Sequence, residues 1–338
     1  MKKLFLLVSV LFILWLGYFV SDVFMQNNNT GDKTQVFKIE QGQGVKKISE
    51  RLKQDNLINS KSNFELYVWL LRRTGKIQAG DYQLNPGMSL RELVNIITYG
   101  WGVDEKTVTI VEGWNNKQLV DYLINNLFIY NSVSDKNVYY NDWNKAITNK
   151  YDYDFLKNKP AGVDLEGYLF PDTYRFYTDV EPQEVVQKML ENFNRKLDSG
   201  LREKIASRKK TIHEIITLAS IIEKEVRGEN DRRMVADIFW RRLDIGMPLQ
   251  ADSTVNYITG GKNPSVSNKD KSIDSPYNTY KNRELPPGPI CNPGLEAIVA
   301  ATEPTGNDYW YFLTTPEGKT VFSKTLDEHN TAKAKYLR

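Results

Sequence analysis

Three stretches of this 338-residue chain repeat one pattern, and that pattern limits the fold more than any other feature. FKIEQGQGVKKISERL begins at Phe37, YQLNPGMSLRELVNII at Tyr82 and VTIVEGWNNKQLVDYL at Val108. Each opens with a short apolar–polar alternation, turns at Gly42, Gly87 or Gly113, and continues with apolar residues at helical spacing. Val45, Ile48 and Leu52 carry that spacing in the first copy, and Leu90, Leu93 and Ile97 in the second. The change of period predicts strand, glycine turn and amphipathic helix. A unit of this kind has one apolar face and needs a neighbour to cover it; the irregular spacing of the copies excludes a solenoid. Between the first two copies, SKSNFELYVWLLRRTG predicts a further helix with Ser60 as N-cap and Gly75 as stop.

Such β-turn-helix units resemble LysM-type folds, which leaves two readings open for this region, a glycan-binding module and a plain spacer. Ahead of it, Lys2 and Lys3 precede an uncharged apolar run from Leu4 to Val20. The run sits at the lower limit of the roughly 17–25 residues a bilayer span requires. Its end, Gly17–Tyr18–Phe19–Val20, is too bulky for a signal-peptidase site, which favours an uncleaved single-pass anchor. The lysines then stay in the cytoplasm and everything after residue 25 lies outside, at the plasma membrane. QNNNTGDKTQ (26–35) reads as a polar linker.

Composition narrows the chemistry. A net charge of +3 gives no support to nucleic-acid binding. The single cysteine, Cys291, rules out an internal disulfide, and with His213 and His329 the only histidines, His- or Cys-rich metal sites are not expected. No nucleophile-elbow, P-loop or dinucleotide-binding pattern occurs, and nothing calls for a cofactor. Past residue 140, LEGYLFPDTYRF carries Pro171 at its middle and is not a helix interior. Residues 182–199 and 231–245 read as helices, the second capped by Asp231 and ended by Gly246, and 309–325 as a hairpin. Short strands interleaved with helices predict an α+β fold.

LASIIEKEVR, within a helix expected over 211–227, places two glutamates two residues apart. With Ile212 set at zero, Ile215, Ile216, Ala219, Ile222 and Val226 fall in one arc about 120° wide. Glu223 projects at ~20°, inside that arc, and Glu225 at ~220°, on the far side. A carboxylate on an apolar face can pair with an arginine (Arg227, Arg241 and Arg242 are near in sequence), hydrogen-bond as a neutral acid, or line a cleft. Without a partner, desolvation raises its pKa. A structural ion pair and a general acid both remain open on pattern alone.

Three long blocks resemble the YceG-like family of membrane-anchored endolytic murein transglycosylases: LEGYLFPDTYRF, LASIIEKEV with DRRMVADIFWRRLDIGMPLQADSTVNY, and NTYKNRELPPGPICNPGLEAIVAATEP. The resemblance implies an anchor over 1–25, a linker over 26–35, a LysM-like module over 36–105 and a mixed α+β catalytic domain over 106–338. It implies a lytic transglycosylase that cuts MurNAc–GlcNAc bonds inside peptidoglycan strands, leaves anhydro-MurNAc ends and terminates strand growth, with peptidoglycan synthases as natural partners. The family's catalytic acid falls on Glu223. Candidates for holding substrate are Glu166, Tyr168, Gln250, Asp252, Asn278, Tyr280 and Asn292; helix capping or loop bracing is the competing role for Glu166 and Asp252. The rival functions are a hydrolase, with Asp252 or Glu166 activating water, and a non-catalytic wall-binding scaffold.

Overall fold

The structure is a computed structural model and describes residues 2–25, 34–99, 105–127, 133–177, 180–261 and 266–337. It divides into two compact units, residues 1–105 with 177–179, and 106–176 with 180–338.

The first unit contains α1 (Lys2–Phe24), β1 (Gln35–Ile39), α2 (Val45–Gln54), α3 (Lys61–Leu70), β2 (Gly80–Leu84) and α4 (Leu90–Tyr99). β1 and β2 are antiparallel, from Gln35 opposite Leu84 to Ile39 opposite Gly80. Their alternation turns Phe37, Ile39, Tyr82 and Leu84 inward, onto Ile48, Leu52, Leu93 and Ile97 of the helices. The first two copies thus cover each other's apolar faces, as a unit with no interior of its own requires. Ser60 caps α3 by accepting the Asn63 N–H at 3.2 Å. The helix stops at Leu70, ahead of the expected Gly75, because Arg72 adopts φ +54° and the Arg73 N–H turns back to the Val68 carbonyl.

Among the described residues no helix is long and apolar enough to cross a membrane. The end of α1 faces protein: Phe19 and Val23 join the core of this unit, and Asp22 accepts from the Asn59 and Asn63 side-chain amides at 3.0 and 2.7 Å. Earlier along α1, Ile13, Leu14, Leu16 and Tyr18 are exposed. Most of the expected linker, residues 26–33, lies outside the described residues, and its last residue, Gln35, opens β1.

The second unit begins with the third copy, β3 (Glu105–Thr109) and α5 (Asn116–Asn126), followed by α6 (Val133–Thr148), β4 (Thr173–Tyr177), α7 (Pro182–Lys196) and α8 (Ser199–Ser207). Next come α9 (Ile212–Glu225), α10 (Glu229–Asp244), α11 (Asp252–Thr259), α12 (Asn268–Lys271) and α13 (Leu295–Thr302). The hairpin β5 (Tyr311–Thr314) and β6 (Thr320–Ser323) and the last helix α14 (Leu326–Tyr336) complete it. β3 pairs with β4, so the third copy is completed by a strand far along the chain.

α9 is the axis of this unit and packs against α8, α10, α11 and α13. A capping box starts it: Thr211 accepts the Glu214 N–H, and Glu214 accepts the Thr211 N–H at 2.7 Å. Every residue from Ile215 to Ile222 is buried, so the helix is covered all round rather than on one arc. It ends where Val226 turns extended and Gly228 takes φ +89°. α10 therefore starts at Glu229, which puts Asp231 in its first turn instead of at the cap.

Candidate active site

The last turn of α9 brings Glu223 to the edge of the core. Its side chain is 6% exposed. The Arg232 Nη2 of α10 donates to Oε1 at 2.9 Å, and the Gly294 N–H, just before α13, donates to Oε2 at 3.1 Å. A second arm of Arg232 reaches Glu296 Oε2 at 2.5 Å, and that partner is 62% exposed. None of the three arginines near in sequence serves: Arg241 binds Asp237, Arg242 binds the Leu249 and Trp310 carbonyls, and Arg227 is exposed. Burial pushes the Glu223 carboxyl above the usual carboxylate range. Arg232 and the Gly294 N–H oppose that rise, and the negative charge of Glu112 adds to it.

Glu112 belongs to the glycine turn between β3 and α5, which wraps over the end of α9. The Lys224 Nζ donates to the Gly113 carbonyl at 3.3 Å, and a Cβ on Gly113 would lie 3.6 Å from Glu223 Cγ. The turn is locked to the loop before α13 by two backbone bonds, Gly113 N–H to Asn292 O at 2.9 Å and Asn292 N–H to Trp114 O at 2.8 Å. Sequence reasoning missed Arg232 and Glu112. Two signals point to them. Glu223 stands five residues before Gly228 and Arg232 four after it, so a turn at that glycine brings them together. Among the three glycine turns, only the third places an acid immediately before its glycine.

The expected substrate-holding residues divide into two groups. Glu166 is buried and both its oxygens accept the Asn116 N–H, at 3.1 and 3.0 Å, at the start of α5. Burial raises its carboxyl well above the usual range, against the pull of that N–H. Tyr168 is inside the core, its hydroxyl 2.8 Å from His213 Nδ1. Asn292 is buried; its carbonyl oxygen accepts the Leu169 N–H and its amide donates to Trp114 O. Asn278 is buried too and donates to the Lys271 and Ile273 carbonyls. In this conformation these four side chains are engaged with the chain itself. Glu166 caps and braces, the competing role the sequence allows.

Gln250, Asp252 and Tyr280 stay at least partly exposed. Gln250 adopts φ +56°, the Tyr280 hydroxyl donates to Asp252 Oδ1 at 2.5 Å, and Lys271 lies over the Tyr280 ring. Asp252 is the first residue of α11 and not its cap. Asp252 and Tyr280 gather at Glu225, not at Glu223. Glu225 is half-buried, and Ser253 donates to it through Oγ at 2.6 Å and N–H at 3.3 Å. Burial raises its carboxyl, Ser253 opposes the rise, and Asp252 adds to it. The two glutamates of LASIIEKEVR therefore both face protein, on opposite sides. Among the described residues no group of three or more His, Cys, Asp or Glu side chains gathers as a metal site requires.

Residues 37–335 match the YceG-like family. The chain belongs to that family. An endolytic murein transglycosylase of Bacillus subtilis (strain 168) is 36% identical over an alignment 322 positions long that covers 90% of this chain and 86% of that protein. One from Streptococcus pneumoniae serotype 2 (strain D39 / NCTC 7466) is 30% identical over an alignment 347 positions long that covers 96% of this chain; the chain spans 62% of that relative's length. The crystal structure of a YceG-like protein from Listeria monocytogenes is similar with a TM-score of 0.57 and 34% identity, over 90% of this chain and all of that one. As a YceG-like protein, the chain carries the SIIEKE segment at the end of α9, with its first glutamate between α10 and α13.

Proposed function

We propose that the chain is an endolytic peptidoglycan lytic transglycosylase with Glu223 as its acid and base. The observation that carries this reading is a nearly buried carboxyl, raised by desolvation, at the rim of the core and beside exposed Glu112 and Lys224. A general acid at neutral pH needs a pKa near its working pH, and burial shifts a glutamate in that direction.

The chemistry needs one such group. Glu223 gives its proton to the oxygen between N-acetylmuramic acid and N-acetylglucosamine, and the C–O bond to the muramyl anomeric carbon breaks. The carboxylate then takes the proton of the muramyl 6-hydroxyl, whose oxygen bonds to that carbon and closes the anhydro ring. Glu223 ends protonated, as it began. The nucleophile belongs to the reacting sugar, so proximity is built into the substrate. Arg232 stabilises the anionic form between the two transfers.

A hydrolase would need a second carboxylate to activate water. Glu166 is committed to the start of α5 and Asp252 to Tyr280, which leaves neither of these free for that task. In the layout we propose, residues 1–25 tether the chain to the plasma membrane, 26–35 link, 36–105 form a LysM-like module and 106–338 act on nascent strands outside. The exposed apolar residues of α1 support the tether.

The test is full-length chain in detergent, incubated with un-crosslinked glycan strands. The expected products are internal fragments with anhydro ends, which lack the elements of water found in reducing ends. Glu223→Gln should give none. Reducing ends in the wild-type digest, or cleavage surviving in Glu223→Gln, would overturn the reading.

A further inference from the structure

Glu223 and Glu112 reach the same glycine from two sides. The Gly294 N–H binds Glu223, while a Cβ on Gly294 would fall 2.0 Å from one Glu112 oxygen and 2.5 Å from the other. Only a residue without a side chain lets Glu112 lie there. We propose that Glu112 is a positioning residue of the transglycosylase reaction, a negative charge set across Gly294 that keeps Glu223 supplied with its proton. The inference rests on the proposed role of Glu223.

The charges around Glu223 show why one is needed. From α10, Arg232 favours the anion. From α13, Glu296 holds the other arm of that arginine and shares its charge. Lys224, on α9 itself, is drawn to the Gly113 carbonyl. The Cys291 thiol is buried in the loop before α13, and its burial raises it well above the usual thiol range. Among these groups the anion has a strong partner in Arg232, and the acid form has only burial and Glu112 to favour it. Glu112 is exposed, so its own charge keeps its hydration. An acid that must also serve as base needs both forms within reach. Arg232 on one side and Glu112 on the other supply that balance.

Glu112 touches Glu223 through the field alone, so its signature is a pH profile. The alkaline limb of kcat/KM reports the free enzyme's essential acid. In full-length chain in detergent, Glu112→Gln should move that limb down by about 0.5–1 pH unit, whatever the height of the plateau. Glu112→Asp keeps the charge one methylene farther off and should place the limb between the two. It also carries the test if the glutamine variant fails to fold. A limb unmoved in both variants, or activity lowered evenly at every pH, would overturn the inference. Glu223→Gln, measured beside them, tells the two failures apart: if it stays inactive while the limb does not move, Glu223 keeps its role and Glu112 loses its own.

Discussion

Glu166 and Glu223 are two buried carboxyls that lean on the same short loop, residues 112–116, and they are treated in opposite ways. Burial raises both. At Glu166 the Asn116 N–H at a helix start donates to both oxygens, where the helix dipole adds its support, the buried Asn292 amide adds a longer bond to Oε1 at 3.4 Å, and among the described residues no exposed charged neighbour is in hydrogen-bond contact. At Glu223 the partners are a guanidinium and a single backbone N–H, and the residues around it, Glu112, Lys224 and Glu296, open to water. Desolvation is common to both and so does not mark an active carboxyl. What separates them is whether the group is enclosed by fixed donors or stands at the rim among charges that can favour either protonation state.

The sharpest way to break this comparison is to neutralise each acid in turn. Glu223→Gln should abolish detectable glycan cleavage, a loss of ~10³-fold or more, with little change in thermal unfolding. Glu166→Gln, which keeps an oxygen for the Asn116 N–H, should lower it only a few-fold. Equal losses from both would erase the distinction. Stability should show the reverse order. Glu166→Ala leaves that N–H buried without its acceptor and should cost about 1–3 kcal/mol in denaturant unfolding of the full chain. Asn292→Ala unpairs Leu169 N–H in the same way and should cost a similar amount, both with activity per folded molecule largely kept.

Much of the fold could be read from the sequence, and so could the placement of one residue of the candidate site. The three strand–turn–helix copies stand where their periodicity puts them, because each element is fixed by neighbours a few residues away. The Ser60 cap and the 309–325 hairpin were legible for the same reason. Partners were not. β3 finds β4 some sixty residues on, Glu166 finds Asn116 fifty residues back, and no local pattern records either pairing. The helical wheel put Glu223 correctly on the apolar face. It misled on Glu225, because α9 is covered all round and its far side is protein too. The LEGYLF and SIIEKE blocks both set an acid among apolar residues. Only the donors brought by distant segments tell a brace from a candidate acid.

A smaller effect tests the junction between the two sites. Gly294→Ala would drive a methyl into the Glu112 carboxyl, the exposed end of a flexible side chain, so Glu112 must swing away, at a cost of about 1 kcal/mol. In a Glu112→Ala background the methyl has room, and the same substitution should cost about 1 kcal/mol less, a coupling that denaturant unfolding of the four proteins would resolve. Strict additivity would show that Glu112 does not rest against Gly294.

The smallest effect belongs to the Glu166 side, where the LEGYLF segment meets α9 through His213. Its ring lies between the Tyr168 hydroxyl and the Pro287 carbonyl, each at 2.8 Å. A carbonyl only accepts, so Nε2 carries the proton and donates to Pro287, and Nδ1 accepts from Tyr168: the neutral ring satisfies both contacts. Burial lowers its pKa from the ordinary value, with the Pro287 carbonyl opposing. Above pH ~6.5 the ring is neutral in folded and unfolded chains alike and contributes no pH dependence. As pH falls below that value the unfolded chain takes up a proton that the folded chain refuses, so stability declines until the lowered folded pKa is reached. His213→Gln keeps a donor and an acceptor but cannot titrate. Between pH 6.5 and 5 its stability should fall less steeply than the wild type's, by a few tenths of a kcal/mol to about 1 kcal/mol across the window. Parallel curves would mean that His213 takes up its proton as readily in the fold as in the unfolded chain, so that its place between Tyr168 and Pro287 does not hold the ring neutral.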